Sequence, residues 1–364
     1  MENKLIGIIT FHAANNYGAV LQAYALQHYI ELNISDNVEI LDYRRQKKNE
    51  DNSIFKGSTH NPIKNLILNI LRSFQRENNK QRSIKFEEFR MNYLHLSERV
   101  YDSELSLGES AYDYYVVGSD QVFNPQLSDY RVYYLSSINS NCKKIAYAPS
   151  FGISTFSDEI TEKIGPLLKR FDVLSCREEV GAKYISNILG NDIPVVLDPV
   201  FLLTNEEWKE IAIEPKTNKK YLLVYCLTKG KSGKVNKLAH YVAKKYNLSI
   251  VTIGSTGLFS YNGLNVLGPR EFVGYFLNAE FVVTDSFHGT SFSLIFGKRV
   301  LSVIANKNTG SRIENIMKIF GRNDDVIQDI DKYNFEEGKK AYLKDNHLEL
   351  LEVSKKFINN IFHS

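Results

Sequence analysis

The chain has 364 residues, 43% hydrophobic and 24% charged, with a formal net charge of +3. That length favours two domains, and the near-neutral balance argues against a nucleic-acid partner, which calls for a clustered basic face. Three widely spaced cysteines, Cys142, Cys176 and Cys226, exclude a disulfide framework or a zinc site built on CxxC pairs.

The elements alternate along the chain. "LIGIIT" (5–10) predicts a strand, and Ala19, Val20, Ala23, Leu26 and Ile30 fall on one face of a helix over 18–31. Further strands are expected at 38–43, 112–118, 143–149, 172–177 and 193–198, with helices at 158–171 and 178–189. Residues 43–61 read as an exposed, mobile loop and 62–100 as a helical insertion with a solvated charged face. Continuous apolar strands separated by helices imply a parallel sheet covered on both faces. A second series follows: a strand at 221–227, a helix carrying Val235, Leu238, Ala239, Val242 and Tyr246, and strands at 248–254, 265–268, 280–285 and 299–304. Helices are expected from Pro269 to about Asn278, from about His288, and over 336–362. The halves read as two copies of one architecture. The domains are expected at 1–205 and 206–335, with 336–364 a C-terminal helix.

No apolar run approaches the ~18–20 residues of a membrane span. The apolar run near the N-terminus is too short for a signal peptide. A cytoplasmic protein is expected, with association at the inner membrane face as the one membrane contact open to it.

In doubly wound domains ligands sit beyond the carboxyl ends of the strands. After the first strand stand His12, Asn15, Asn16, Tyr17 and Gly18, and after "YYVVG" come Ser119, Asp120, Gln121 and Asn124. Later ends carry Arg177, then "DSFHGT" with Ser286, His288, Gly289 and Thr290, and finally Lys307, Ser311 and Arg312 in "NKNTGSRIEN". Each has a structural reading. Asn16 and Ser286 suit helix caps, and Asp120 suits a turn. Arg177 has Glu178 and Glu179 beside it as surface partners. Together they describe a polar, cationic rim. "DSFHGT" has the chemistry of an anion site: a helix N-terminus, a glycine that opens the backbone, and an imidazole suited to proton transfer near neutrality.

The blocks "NNYGAVLQAYAL", "YYVVGSDQVFNP", "KIAYAPSFG", "SCREEVGAKYI", "VVLDPVF" and "DSFHGTSFSLIFGKRVL" occur in one order and spacing. In this they resemble the polysaccharide pyruvyl transferase family, over about residues 5–320. The resemblance implies two Rossmann-like domains facing a cleft, as in GT-B glycosyltransferases, with the C-terminal helix crossing back to the first domain. The first domain would then face the acceptor and the second the donor. The implied reaction moves a pyruvyl unit from phosphoenolpyruvate to two hydroxyls of one sugar, forming a cyclic ketal and releasing phosphate. It needs no metal, and no cofactor beyond phosphoenolpyruvate as donor substrate. The acceptor would be a lipid-linked or nucleotide-linked precursor of a capsule, exopolysaccharide or other surface glycan. The resemblance puts Arg177 on the donor's carboxylate or phosphate and His288 at the reacting centre. It departs at Ser286, where many members carry an arginine, so Lys307 or Arg312 would supply that charge. Two other readings stand beside it: a nucleotide-sugar glycosyltransferase of the same fold, and a non-catalytic glycan- or anion-binding module.

Overall fold

A computed structural model of the chain describes residues 4–45, 62–138, 141–228, 232–254, 263–304, 307–330 and 346–363, without the side chains of 62–75, 232–234, 307–309, 346–347 and 363. In the first half, β1 (Ile6–Ile9), α1 (Tyr17–Asn33), β2 (Val38–Tyr43), α2 (Pro62–Tyr93), β3 (Leu96–Tyr101) and α3 (Glu104–Gly108) precede β4 (Tyr114–Val117). Then follow α4 (Tyr130–Tyr133), β5 (Lys143–Ala146), α5 (Asp158–Leu168), β6 (Val173–Leu174) and α6 (Glu179–Leu189). The second half runs α7 (Asn205–Ile211), β7 (Tyr221–Tyr225), α8 (Ser232–Tyr246), β8 (Ser249–Ile253), β9 (Gly263–Leu264), α9 (Pro269–Leu277) and β10 (Phe281–Thr284). It closes with α10 (Phe287–Ile295), β11 (Arg299–Val303), α11 (Lys307–Ile319), β12 (Val326–Ile327) and α12 (Asn346–His363).

Both sheets are parallel, six-stranded and built to one plan. The first has the order β3-β2-β1-β4-β5-β6, and the second, read from its far edge, β9-β8-β7-β10-β11-β12. Each is the doubly wound order, which reverses beside its first strand. The reversals fall between β1 and β4 and between β7 and β10. A ligand crevice is expected at both places, and the two face each other.

The domains share one core beneath the cleft. Tyr17 of α1 stacks on Phe272 of α9 with centroids 4.3 Å apart, and its hydroxyl donates to Leu267 O. Trp208 of α7 packs against Tyr24 of α1 and Phe292 of α10, and its indole N–H donates to Val200 O. Lys85 of α2 pairs with Glu271 of α9. The C-terminal helix returns to the first domain, as expected. Ser354 Oγ accepts from Leu197 N, Tyr29 OH donates to Asn359, and Phe362 lies on Tyr114. No helix of the described residues is long and apolar enough to cross a membrane.

Several expected elements differ. Residues 193–198 form only an isolated bridge, Cys176 to Val195, rather than a strand. Leu96–Tyr101 is an edge strand, not the end of a helical insertion. The expected strand at 265–268 is replaced by the short β9 just before it. "KNTGSRIEN" (307–315) is the start of α11, not a loop. Residues 46–61, most of the expected mobile loop, and 336–345, the expected start of the last helix, lie outside the described residues.

Candidate active site

On the second-domain side, β10 ends at Thr284 and hands over to α10 through Asp285 and Ser286. The Asp285 carboxylate accepts the backbone N–H groups of Leu227 and Thr228, at 2.6 and 3.0 Å, and so fixes the loop after β7. Ser286 caps α10 by accepting from Gly289 N at 3.3 Å. This helix start is therefore already occupied. A Cβ at Gly289 would lie 2.3 Å from Thr284 Oγ1 and 3.0 Å from the Tyr225 ring, so the glycine serves close helix–sheet packing rather than ligand approach. Thr290 is turned away and shares a hydrogen bond with Ser302 at 2.8 Å.

His288, on the first turn of α10, instead reaches the first domain. Gly18, in the first turn of α1, is the residue that admits it. A Cβ there would fall 2.0 Å from His288 Nδ1. The imidazole lies edge-on to Phe287, and its Nε2 stands 3.7 Å from Asp198 Oδ2, beyond hydrogen-bond range.

Asp198 organises the first-domain side. It precedes a short helical turn, Pro199–Phe201, that packs against both α1 and α10. Its Oδ2 accepts from Arg177 Nη1 at 2.6 Å and from Ser119 Oγ at 2.9 Å, and its Oδ1 accepts from Val200 N. Burial alone would raise its carboxyl, yet His288 and Arg177 beside it hold it well below the usual range. Arg177 follows β6. Its Nε donates to Glu178, and its guanidinium lies 4.4 Å from the Phe287 ring centre. Burial opposes its charge, but Glu178 and Asp198 more than offset that and push its value up.

Arg312 of α11 lines the same pocket as Arg177, Asp198 and Phe287. Burial, and then the positive charge of Arg177, pull its value down. Two guanidiniums thus converge from opposite domains. Among the described residues, Arg177 Nη2, Arg312 Nε and His288 Nε2 are buried without a hydrogen-bond partner. Nitrogens left so usually await a ligand or water.

The other expected site residues are engaged elsewhere. His12 bonds Asp42 at 3.0 Å and Thr10 O. Asn15 is tied to Ser83 and Arg90 of α2, and Asn16 caps α1. Asn124 accepts from Gln126 N, and Gln121 lies against Gly152. Asp120 accepts from Gln121 N, and its charge acts on both Arg177 and Arg312. Ser311 is half-buried on α11, and the Lys307 side chain lies outside the described residues. Asp198, Glu178 and Phe287 belong to the site but were not singled out from sequence. Burial raises the Cys176 and Cys226 thiols, which therefore make poor nucleophiles.

The sequence model of the family described as polysaccharide pyruvyl transferase matches residues 16–308. The chain belongs to the polysaccharide pyruvyl transferase family. It is thus a transferase of polysaccharide metabolism, and the matched span holds Arg177, Glu178, Asp198, Phe287 and His288, while Arg312 lies just beyond it. No curated protein matches it. Among solved structures it is similar to the UDP-GlcNAc 2-epimerase of Methanocaldococcus jannaschii, at 13% identity over all of both chains and a TM-score of 0.54. The same enzyme in complex with UDP-GlcNAc and UDP gives 14% identity, full coverage of both chains and a TM-score of 0.53. At such identity the likeness shows the fold alone: two Rossmann-like domains of GT-B type.

Proposed function

We propose that the chain transfers a pyruvyl group from phosphoenolpyruvate to two hydroxyls of a sugar residue on a lipid-linked or nucleotide-linked precursor of a bacterial capsule, exopolysaccharide or other surface glycan. The observation that carries this reading is the pair of unpartnered buried guanidinium nitrogens on Arg177 and Arg312, which line one small pocket from the two domains, with the unpartnered His288 Nε2 facing the Asp198 that also lines it. Phosphoenolpyruvate brings two anionic groups on a three-carbon frame. Each charge-assisted hydrogen bond to such a group contributes about 1.5–3 kcal/mol. Arg312 supplies from α11 the cation absent at Ser286.

In this reading Arg177 and Arg312 hold the donor's carboxylate and phosphate, and protonated His288 gives its proton to the methylene carbon. Asp198, held anionic, faces the imidazole, with Oδ2 3.7 Å from His288 Nε2. The carbon that bears the phosphate becomes electron-poor and takes the first acceptor oxygen. Departure of phosphate then lets the second oxygen close the ketal.

The test is phosphate release from phosphoenolpyruvate with a panel of lipid-linked and nucleotide-linked sugars. An acceptor mass gain of one pyruvyl unit less water is the expected product. His288→Ala should abolish that release while the protein stays folded. Turnover of a nucleotide sugar with no reaction of phosphoenolpyruvate would instead favour a glycosyltransferase.

A further inference from the structure

We infer that Asp120 is the general base that takes the proton of the attacking acceptor hydroxyl; this rests on the pyruvyl-transfer reading above. Asp120 lies immediately beyond β4, at the point where the first sheet reverses direction. Its backbone has φ 68° and ψ −167°, a conformation essentially reserved for glycine and costing an aspartate on the order of 1–3 kcal/mol. Such strain persists only where neighbours impose it. Here they do: Asp120 bridges Pro149, and its carbonyl accepts from Ser150 N at 2.8 Å. Pro149 O in turn accepts from Arg177 N, so Asp120 and Arg177 are stitched to the same short segment. The preceding residue, Ser119, binds both Asp198 and Arg177.

The carboxylate itself is under-used. Oδ1 takes Gln121 N at 2.9 Å, and no hydrogen bond to Oδ2 is found among the described residues. The residue is 8% exposed, and Oδ2 is not sealed from solvent, so a hydroxyl can reach it. Adjacent Ser119 bonds Asp198 and Arg177, both of which line the donor pocket, so Asp120 stands next to that pocket on the first-domain side, and its charge is felt by Arg177 and Arg312. A turn alone would need only Oδ1, and glycine would satisfy the backbone without strain.

Ketal formation needs a base as well as an acid. As the donor's methylene carbon takes a proton from His288, the first acceptor oxygen bonds the neighbouring carbon and its proton passes to Asp120. The carbon–oxygen bond to phosphate then breaks, and the second hydroxyl adds and returns a proton to His288. Asp120 sheds its proton to the departing phosphate. Two hydroxyl protons are thus divided between the new methyl group and the phosphate.

The test compares wild type, Asp120→Asn and Asp120→Gly, using phosphoenolpyruvate with the same panel of lipid-linked and nucleotide-linked sugars as acceptors. Asparagine keeps the Oδ1 contact, and glycine relieves the backbone. Both variants should lose about 10²–10⁴-fold in kcat, the usual contribution of a general base. Donor KM should change less than threefold, and thermal stability should be equal or, for glycine, higher. A wild type that releases phosphate beside an Asp120→Asn variant within threefold of its kcat overturns the role of Asp120 alone. A wild type inert to phosphoenolpyruvate with every acceptor overturns the donor reading and this inference with it.

Discussion

Asp198→Ala tests the arrangement most directly. The carboxylate is fully buried and is the only described partner of Arg177 Nη1 besides the more distant Ser119. Removing it leaves a buried guanidinium paired directly only with Glu178, with Asp120 at longer range, and breaking such a pair costs about 3–5 kcal/mol. At about 2.1 cal/mol/K of unfolding entropy per residue, 364 residues make 3 kcal/mol equivalent to a fall in Tm of about 4 °C. The effect has a pH signature. The Asp198 carboxyl is depressed in the folded state, although burial by itself would raise it. A depressed carboxyl contributes stability that is present above its unfolded value, about 3.9, and lost as pH falls through the folded value. The gap between wild type and variant should therefore be full at pH 7 and shrink only on acidification below about pH 4. Scanning fluorimetry from pH 3 to pH 8 reads both. A variant within 1 °C of wild type at pH 7, or a gap that widens on acidification, refutes the reasoning.

Further substitutions separate positioning from binding. Gly18→Ala should melt slightly below the wild-type temperature, because moving the buried His288 ring costs about 1–3 kcal/mol and the helix preference of alanine, roughly 0.8–1 kcal/mol, offsets only part of it. Turnover should fall at least about 10²-fold, since the new methyl group displaces the His288 ring, which would lie 2.0 Å away; unchanged kcat would show that the ring need not sit there. Arg312→Ala should raise donor KM by about 10–100-fold, the loss of one or two charge-assisted bonds, with kcat affected far less, and steady-state kinetics checks it. The same variant should be no less stable than wild type without donor, because burial and Arg177 already disfavour the Arg312 charge. Phosphoenolpyruvate should stabilise wild type but not this variant at matched concentration, as ligand linkage requires.

The sheets were legible because their strands are buried on both faces and read as unbroken apolar runs. "VEILDY" falls on β2 to the residue, and β7, β10 and β11 differ from expectation by one or two. The failures have local causes. "IPVVLD" is as apolar as a strand, but Pro194 lacks an N–H to donate, and only Val195 makes a bridge. "LSERVY" carries exposed polar residues between buried Ser97 and Tyr101, because it pairs on one side only, as the sheet's edge. "NKNTGSR" has the composition of a loop, yet Ile313, Ile316 and Met317 bury one face of α11 against the core. Tertiary burial overrode local propensity there, and it changed how Arg312 is presented.

The same distinction governs the site. Arg177 and His288 could be picked out because each follows a strand end, which sequence reveals. Their geometry could not, because it depends on contacts between domains. Asp198 lies in the quoted block "VVLDPVF" and closes the strand expected at 193–198, but in the structure it ends no strand and caps only a short turn. Its meaning comes from three partners distant in sequence: Ser119 and Arg177 in the first domain and His288 in the second. The glycines behave alike. Gly289, beside the histidine in sequence, serves packing, whereas Gly18, some 270 residues away, makes room for the ring. One carboxylate on the connecting segment thus faces Arg177 and His288 together. A shift of one domain against the other would disturb the His288–Asp198 distance, the Gly18 contact and the approach of Arg312 together. The effects of Gly18→Ala and Arg312→Ala should accordingly be less than additive in kcat/KM, because either change already disrupts the closed arrangement that the other needs.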